Sequence, residues 1–354
     1  MLDAERKPGP ATAFEGAPVL GTPPVQNVME LAWGMWASGV IQAAAKLGIA
    51  DSVGEEPVHV DELADEIGAD AGALSRLMRA LSAYGVYRQL GPGRYEHTEA
   101  SRAMRSDAPV RIGDVIQTGS YWGWQMWAKL DESVRTGECA FRATYGKDLF
   151  SYFAEDDNEA GAATLRGYAA QSVAMHPALV GGLDLAGART VVDVGGGHGS
   201  LLRALLEANP DLRGILFDRA HTIERADPVL STGALADRCE LEAGDCLVEV
   251  PKADVYLFRQ VLHMWEDEMC VQALGNVAKV AEPGSRVILL EQLISDPPAN
   301  PWDALMDLHM LLVMDGRERT AEEYAELFDR AGLRYRGVTE TGTPLRLIEA
   351  TAGD

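Results

Sequence analysis

The chain has 354 residues, enough for two or three domains at roughly 100–200 residues each. Asp and Glu outnumber Lys and Arg by 54 to 31, a formal charge of −23, which argues against a phosphate-backbone binder because nucleic-acid affinity comes mostly from Lys and Arg displacing counterions. Hydrophobic residues make up 47% and charged residues 24%, the balance of a soluble globular chain able to bury a core.

Residues 1–24, rich in Pro, Gly and Ala, read as a loose lead-in. From Gln26 to Ile49 apolar residues recur at three- and four-residue steps (Val28, Met29, Ala32, Trp33, Trp36, Val40, Ile41, Ala44, Leu47), the pattern of a helix. Asp61 can cap a helix through Ile67, and Asp70 or Ala71 opens a second running to about Tyr84. Residues 86–97 then read as a hairpin turning at Gly91-Pro-Gly93. Helix, helix and hairpin form a winged-helix pattern over residues 25–110. Its functional reading is DNA binding and its structural reading a packing or dimerisation module. The candidate recognition helix carries only Arg76 and Arg79, while Glu55, Glu56, Asp61, Glu62, Asp65, Glu66 and Asp70 surround it. Phosphates are repelled there, so the structural role is expected, with no nucleic-acid partner.

Residues 111–185 read as helical, with aromatic patches at Trp122, Trp124, Met126 and Trp127 and at Tyr145, Phe150, Tyr152 and Phe153. Such patches are core, or a lid over an aromatic substrate. Residues 186–354 change texture. Strand-like apolar runs at 190–194, 214–218, 253–257, 285–290 and 345–349 alternate with helical segments at 199–208, about 265–281, and 319–332. That alternation predicts an α/β domain with a mostly parallel, Rossmann-like sheet, whose ligands sit at the carboxyl ends of the strands. No apolar run approaches the ~20 residues of a membrane helix. No secretory leader is evident, and the four cysteines (Cys139, Cys239, Cys246, Cys270) form no CxxC pair, so a cytoplasmic protein with reduced thiols is expected.

The run Val191-Val-Asp-Val-Gly-Gly-Gly-His-Gly-Ser200 leads a buried strand into glycines and then a helix. Glycines there allow a tight turn and let a ligand press against bare backbone beside a helix N-terminus. Two ligand classes use this device. A dinucleotide needs G-x-G-x-x-G, which Ser200 matches imperfectly. The spacing Asp193-x-Gly195-x-Gly197-x-Gly199 fits better the D-x-G-x-G-x-G loop of S-adenosylmethionine (SAM) methyltransferases. The next strand ends in Asp218, where a carboxylate can accept both ribose hydroxyls. Asp245 follows in a loop, placed to accept from an adenine amino group.

After strand 253–257 comes Phe258-Arg-Gln-Val-Leu-His-Met-Trp-Glu-Asp-Glu-Met-Cys270. With the glycine loop, this stretch resembles the class I SAM-dependent O-methyltransferases of the caffeic-acid type, which include plant phenylpropanoid enzymes and bacterial tailoring enzymes of aromatic natural products. The family pattern is a strand, a Lys or Arg, then V/I-L/C-H-D-W-x-D-E with the His as general base; Arg259, His263, Trp265, Asp267 and Glu268 fall in register. The family's two flanking glutamates match Glu291, 28 residues beyond the His, and Glu318 in Gly316-Arg-Glu-Arg-Thr320. The likeness spans about residues 25 to 350 and implies that the winged-helix module builds a homodimer.

The resemblance implies a SAM site lined by Gly195, Asp218, Arg219, Asp245, Cys246 and Arg259, joined by Asp193 and Gly197 of the loop and by Trp265. Asp218 would bind ribose, Asp245 and Cys246 would border adenine, and Arg259 would reach the nucleotide. A sulfonium already carries an activated methyl group, so the protein must position the acceptor oxygen and deprotonate it. A phenol has a pKa near ~10, which calls for a positioned imidazole at neutral pH. Two carboxylates around that imidazole fix its tautomer and stabilise the imidazolium. This logic requires no metal, and no metal-spaced ligand set stands out. His198 borders the glycine loop, and His176 and His309 read as core or surface groups, with an approach to the substrate as the alternative.

Met264 stands where the family commonly has Asp after the catalytic His, removing a polar contact to an acceptor hydroxyl. On a helix over 303–314, Met306, Met310 and Met314 recur at i, i+4; matched to the family, Met310 and Met314 face an apolar acceptor pocket suited to an aromatic molecule. The expectation is a SAM-dependent O-methyltransferase of bacterial secondary metabolism. The alternatives are N- or C-methylation on the same fold, a winged-helix SAM-sensing regulator, and an NAD-dependent oxidoreductase using the same glycine loop.

Overall fold

The computed structural model describes residues 23–109, 112–118, 122–155 and 159–353; the expected lead-in lies outside them up to residue 22. Two compact units emerge, one up to Gly123 plus Ala162–Gln171, the other Trp124–Gly161 plus Ser172 onward, which divide the 111–185 region between them.

In the first unit the opening helix spans Pro23–Lys46, and Gly48 at φ 66° breaks it before a short helix Ile49–Ser52. The helix Val60–Ile67 is capped by the side chain of His59, which accepts from the Asp61 N–H, so Asp61 sits inside the helix rather than at its cap. Asp70 caps Ala71–Ala83 through Oδ1 and the Ala73 N–H at 2.8 Å, as its residue type favours. Strands β2 (Tyr87–Gly91) and β3 (Arg94–His97) form the expected hairpin, and β1 (Val58–His59) adds to β3, giving the order β1-β3-β2. Leu63, Leu74, Met78, Leu81, Tyr87 and Tyr95 fill the core between the helices and this sheet.

In the second unit the described strands are β4 (Thr190–Val194), β5 (Arg213–Asp218), β6 (Cys239–Ala243), β7 (Val255–Arg259), β8 (Arg286–Gln292), β9 (Leu333–Glu340) and β10 (Leu345–Ala352). They form one sheet in the order β6-β5-β4-β7-β8-β10-β9, parallel except that β10 runs antiparallel to β8 and β9. The expected runs became β4, β5, β7, β8 and β10. The edge strands β6 and β9 carry no apolar run, because an edge strand is covered less than a central one. Side chains alternate between two cores: Val192, Val194 and Phe217 pack with the helices Asp267–Val280 and Ala321–Arg330, whereas Val191, Leu216 and Leu257 pack with the helix Ser200–Ala208. Strand order reverses between β4 and β7, and the crevice for a ligand lies at their carboxyl ends.

Candidate active site

The glycine loop leaves β4 with Gly195, Gly197 and Gly199 all at left-handed φ (70°, 61° and 84°). A Cβ on Gly196 would stand 2.6 Å from the Asp193 carboxylate, so the loop lies directly on that acid. Asp218, at the tip of β5, accepts from the Gly197 N–H through Oδ2 (2.9 Å) and from the Arg219 N–H through Oδ1 (2.7 Å). Asp193 is 1% exposed, and neither carboxylate oxygen has a hydrogen-bond partner. Burial pushes its pKa up to about 7 against the pull of Arg259.

Arg259 ends β7, the strand beside β4, and donates through Nη1 to Ser172; its Nε is buried without a partner. Burial lowers its pKa, opposed by Asp193 and Glu291. In the loop after β6, Asp245 closes a turn onto the Leu247 N–H (2.9 Å). Cys246 is buried, its carbonyl taken by Asn276 and its thiol pushed up to about 12 by burial. Asp193, Gly195, Gly197, Asp218, Arg219, Asp245, Cys246 and Arg259 thus follow or end the neighbouring strands β4 to β7 at their carboxyl side. Trp265 packs against the core that holds Cys246 and Phe258, and it lines a cleft with Glu266, Asp267, Glu268, Asp315, Gly316 and Arg317.

Beyond β7, Gln260 takes φ 51°, a left-handed conformation costly for a side chain, and a 3₁₀ turn follows at Leu262–Met264. This turn holds His263, 6% exposed, with Nδ1 3.0 Å from Glu318 Oε1. A carboxylate only accepts, so Nδ1 carries the proton and Nε2 keeps the lone pair. Burial alone would lower the His263 pKa; the charge of Glu291 and the hydrogen bond and charge of Glu318 outweigh it, against Arg319, and the net shift is upward.

Two carboxylates around the ring were expected, and only Glu318 bonds to it. Glu291, fully buried, instead accepts from the Val261 and Leu262 N–H groups through Oε1 (3.0 and 2.9 Å). The turn leaves those amides unpaired, and the end of β8 delivers a carboxylate to them. Burial raises the Glu291 pKa to about 7, countered by His263. Glu318 is placed by Asp307 on the helix Pro301–Val313, whose Oδ1 accepts the Glu318 N–H at 2.9 Å.

Met264 is half-buried against the sheet core, Met310 is buried, and Met314 caps the helix Pro301–Val313. His309 on that helix is pushed down to about 4 by burial and by His263, and His176 to about 4 by burial and Arg259. Among the described residues no group of three or more His, Cys, Asp or Glu side chains has the arrangement of a metal site, and no helix is long and apolar enough to cross a membrane.

Sequence reasoning gave no role to Asp307, nor to Gly316 and Arg319 inside the Gly316–Thr320 motif, because their partners lie far away in the chain. A Cβ on Gly316 would meet the His263 carbonyl oxygen at 2.0 Å and the Met264 carbon at 2.6 Å, both backbone atoms. Gly316→Ala is therefore expected to destabilise the fold by about 1–3 kcal/mol and to cost at least roughly tenfold in turnover by displacing the His263 turn. Thermal melting and single-turnover rates check this, and unchanged values in both would refute the close approach.

Residues 127–334 match the O-methyltransferase domain model, and residues 29–107 match the O-methyltransferase dimerisation domain model. The chain belongs to the O-methyltransferase family. It is 35% identical over 331 residues to a mitomycin biosynthesis 6-O-methyltransferase of Streptomyces lavendulae, covering 92% of this chain and 93% of that one. It is 31% identical over 329 residues to a phenazine-1-carboxylate N-methyltransferase of Pseudomonas aeruginosa, covering 92% and 96%. Its fold matches the solved structure of CalO1, a methyltransferase in calicheamicin biosynthesis bound to S-adenosylhomocysteine (SAH), with TM-score 0.84, 32% identity and coverage of 95% and 100%.

This family member is a SAM-dependent O-methyltransferase, with SAH as the product left by its cofactor. The residues present fit that cofactor. Asp193 lies buried beneath a bare glycine backbone with no hydrogen bond to either carboxylate oxygen, and Asp218 offers a carboxylate at the strand tip.

Proposed function

We propose that this enzyme methylates a phenolic hydroxyl of an aromatic natural-product intermediate without a metal, with His263 as general base. The observation that carries the reading is the buried imidazole whose Nδ1 is committed to Glu318, one turn beyond the strand that adjoins the glycine loop. SAM supplies a methyl group already activated on a sulfonium. The chain's own residues then hold the loop backbone (Asp218), brace the turn (Glu291) and take the phenolic proton at Nε2 (His263). The positive charge that arrives on the ring is stabilised by Glu318 and Glu291. Met264, Met310 and Met314 give the acceptor an adaptable apolar surface.

A homodimer fits the apolar residues that the helix Pro23–Lys46 leaves exposed in a single chain, among them Leu31 (82%), Trp36 (61%) and Met35. A cytoplasmic enzyme without nucleic-acid or membrane partners fits the acidic, CxxC-free sequence.

The test is methyl transfer from SAM to a panel of phenols and matched anilines, with chelator present, across pH. His263 must be neutral to act, and its pKa lies above the ordinary histidine value. Activity should therefore be absent at low pH and rise as pH climbs through that elevated pKa. A rate independent of pH with chemistry limiting would remove the base, loss of activity in chelator would remove metal independence, and exclusive methylation of anilines would move the reaction to nitrogen.

A further inference from the structure

We propose that Arg319 is the positioning residue of the general base, its guanidinium holding in one conformation the turn that carries His263. The inference rests on the assignment of His263 as the base. Arg319 is fully buried, the largest side chain at that depth among the described residues. Nη1 donates to the Leu262 carbonyl (3.0 Å) and Nη2 to the Trp265 carbonyl (2.7 Å), so the two contacts bracket His263 in the chain. Nε and Nη2 both donate to Asp267 Oδ1 (3.0 and 2.7 Å), anchoring the fork to the first turn of the helix Asp267–Val280. The face of Tyr324 lies 5.9 Å from the guanidinium carbon.

A three-residue 3₁₀ turn cannot hold itself, since few of its groups find partners inside it. Here the amides entering the turn go to Glu291 and the carbonyls around it go to Arg319. Immediately before these groups the chain passes through the strained Gln260, a conformation that persists only where the surroundings over-determine it. A side chain that merely filled this space would be apolar, because a buried guanidinium costs desolvation unless its donors are used. This one is used on the backbone of the turn, and a planar fork reaches two carbonyls and a carboxylate at once where an ammonium does not.

The cation also stands among the charges facing His263. Glu291 faces it from β8, Glu318 from the segment after the helix Pro301–Val313, and His309 from that helix; Asp307, on the same helix, and Tyr324, on the helix Ala321–Arg330, face Glu318. Arg319 is the group in this set that opposes protonation of His263 from the cationic side, so its removal raises the His263 pKa.

The experiment uses the full chain with SAH as a folding probe, labelled histidine for ring titration by NMR, and turnover with a methylated phenol. Arg319→Lys keeps the charge and loses the fork; kcat is expected to fall by about 10–100-fold with SAH affinity within about twofold and the acceptor KM little changed. Arg319→Met loses both; the His263 ring titration and the acid limb of the rate profile should also move to higher pH. Wild-type kcat in both folded variants, or a loss of kcat with an unmoved His263 titration in Arg319→Met, overturns the proposal. Should neither variant bind SAH, Asp267→Ala decides: it unpins the fork at a half-exposed carboxylate, and kcat should fall at least roughly threefold. An unchanged kcat there overturns the proposal as well. Full turnover in His263→Ala would instead remove the base assignment, an outcome that the ring titration of the Arg319 variants does not depend on.

Discussion

His263→Ala is expected to lower kcat by at least roughly 10²-fold while SAH binds within about twofold of the wild-type affinity. The ring sits in a 3₁₀ turn beyond β7, and its Nδ1 is held by Glu318, so the lone pair at Nε2 is the group lost. Without it a phenol must ionise to water, which at neutral pH leaves about one part in a thousand as phenolate. SAH affinity is expected to persist because the Gly197 N–H of the glycine loop is held by Asp218, a contact that the His263 ring does not share. Steady-state turnover with calorimetry of SAH checks both halves. Wild-type turnover would remove His263 from the chemistry, and lost SAH affinity would show that the turn and the loop are one unit. Glu318→Gln is a graded companion: the amide still meets Nδ1 but no longer stabilises the imidazolium, so its kcat should lie between those of the two enzymes.

Asp218→Ala is expected to weaken SAH by about 10²-fold, near 2–3 kcal/mol, with any residual turnover restored at saturating SAM. The carboxylate holds the Gly197 and Arg219 N–H groups, two charge-assisted bonds that tie the glycine loop to the next strand. Removing it loosens the middle of the loop at Gly197, while the ends stay tied by the Gly195 N–H to the Phe217 carbonyl (2.8 Å) and by the Asp227 N–H to the His198 carbonyl (2.9 Å). It also removes the acid placed for a ribose. Calorimetric titration with SAH reads the loss, and an unchanged affinity would refute the role. Asp218→Asn separates the two contributions, since one amide oxygen can keep the Gly197 contact while the charge is gone.

The central strands were legible because they are buried on both faces and write themselves as apolar runs. The edges β6 and β9 were not, since Cys239–Ala243 and Leu333–Glu340 are half-covered and mix charge with apolar residues. The helix Val60–Ile67 was legible in extent but not in its cap. Asp61 has the better capping chemistry, yet the backbone turns extended at His59, and the residue at that turn takes the role.

By itself the sequence determined the glycine loop and the acid at the tip of the next strand, and its resemblance to the O-methyltransferases matched His263, Glu291 and Glu318 to one family pattern. These are local motifs or fixed intervals, and the covalent chain carries them. Only the tertiary structure decided how the three meet. Glu318 takes the ring while Glu291 takes two amides, and the fully buried Arg319 closes the turn on its other side. The register between β7 and β8 and the path of the chain past Gly316 settle which backbone groups are left unpaired, and the nearest carboxylate or guanidinium must satisfy them because an unpaired buried polar group costs about 1–3 kcal/mol.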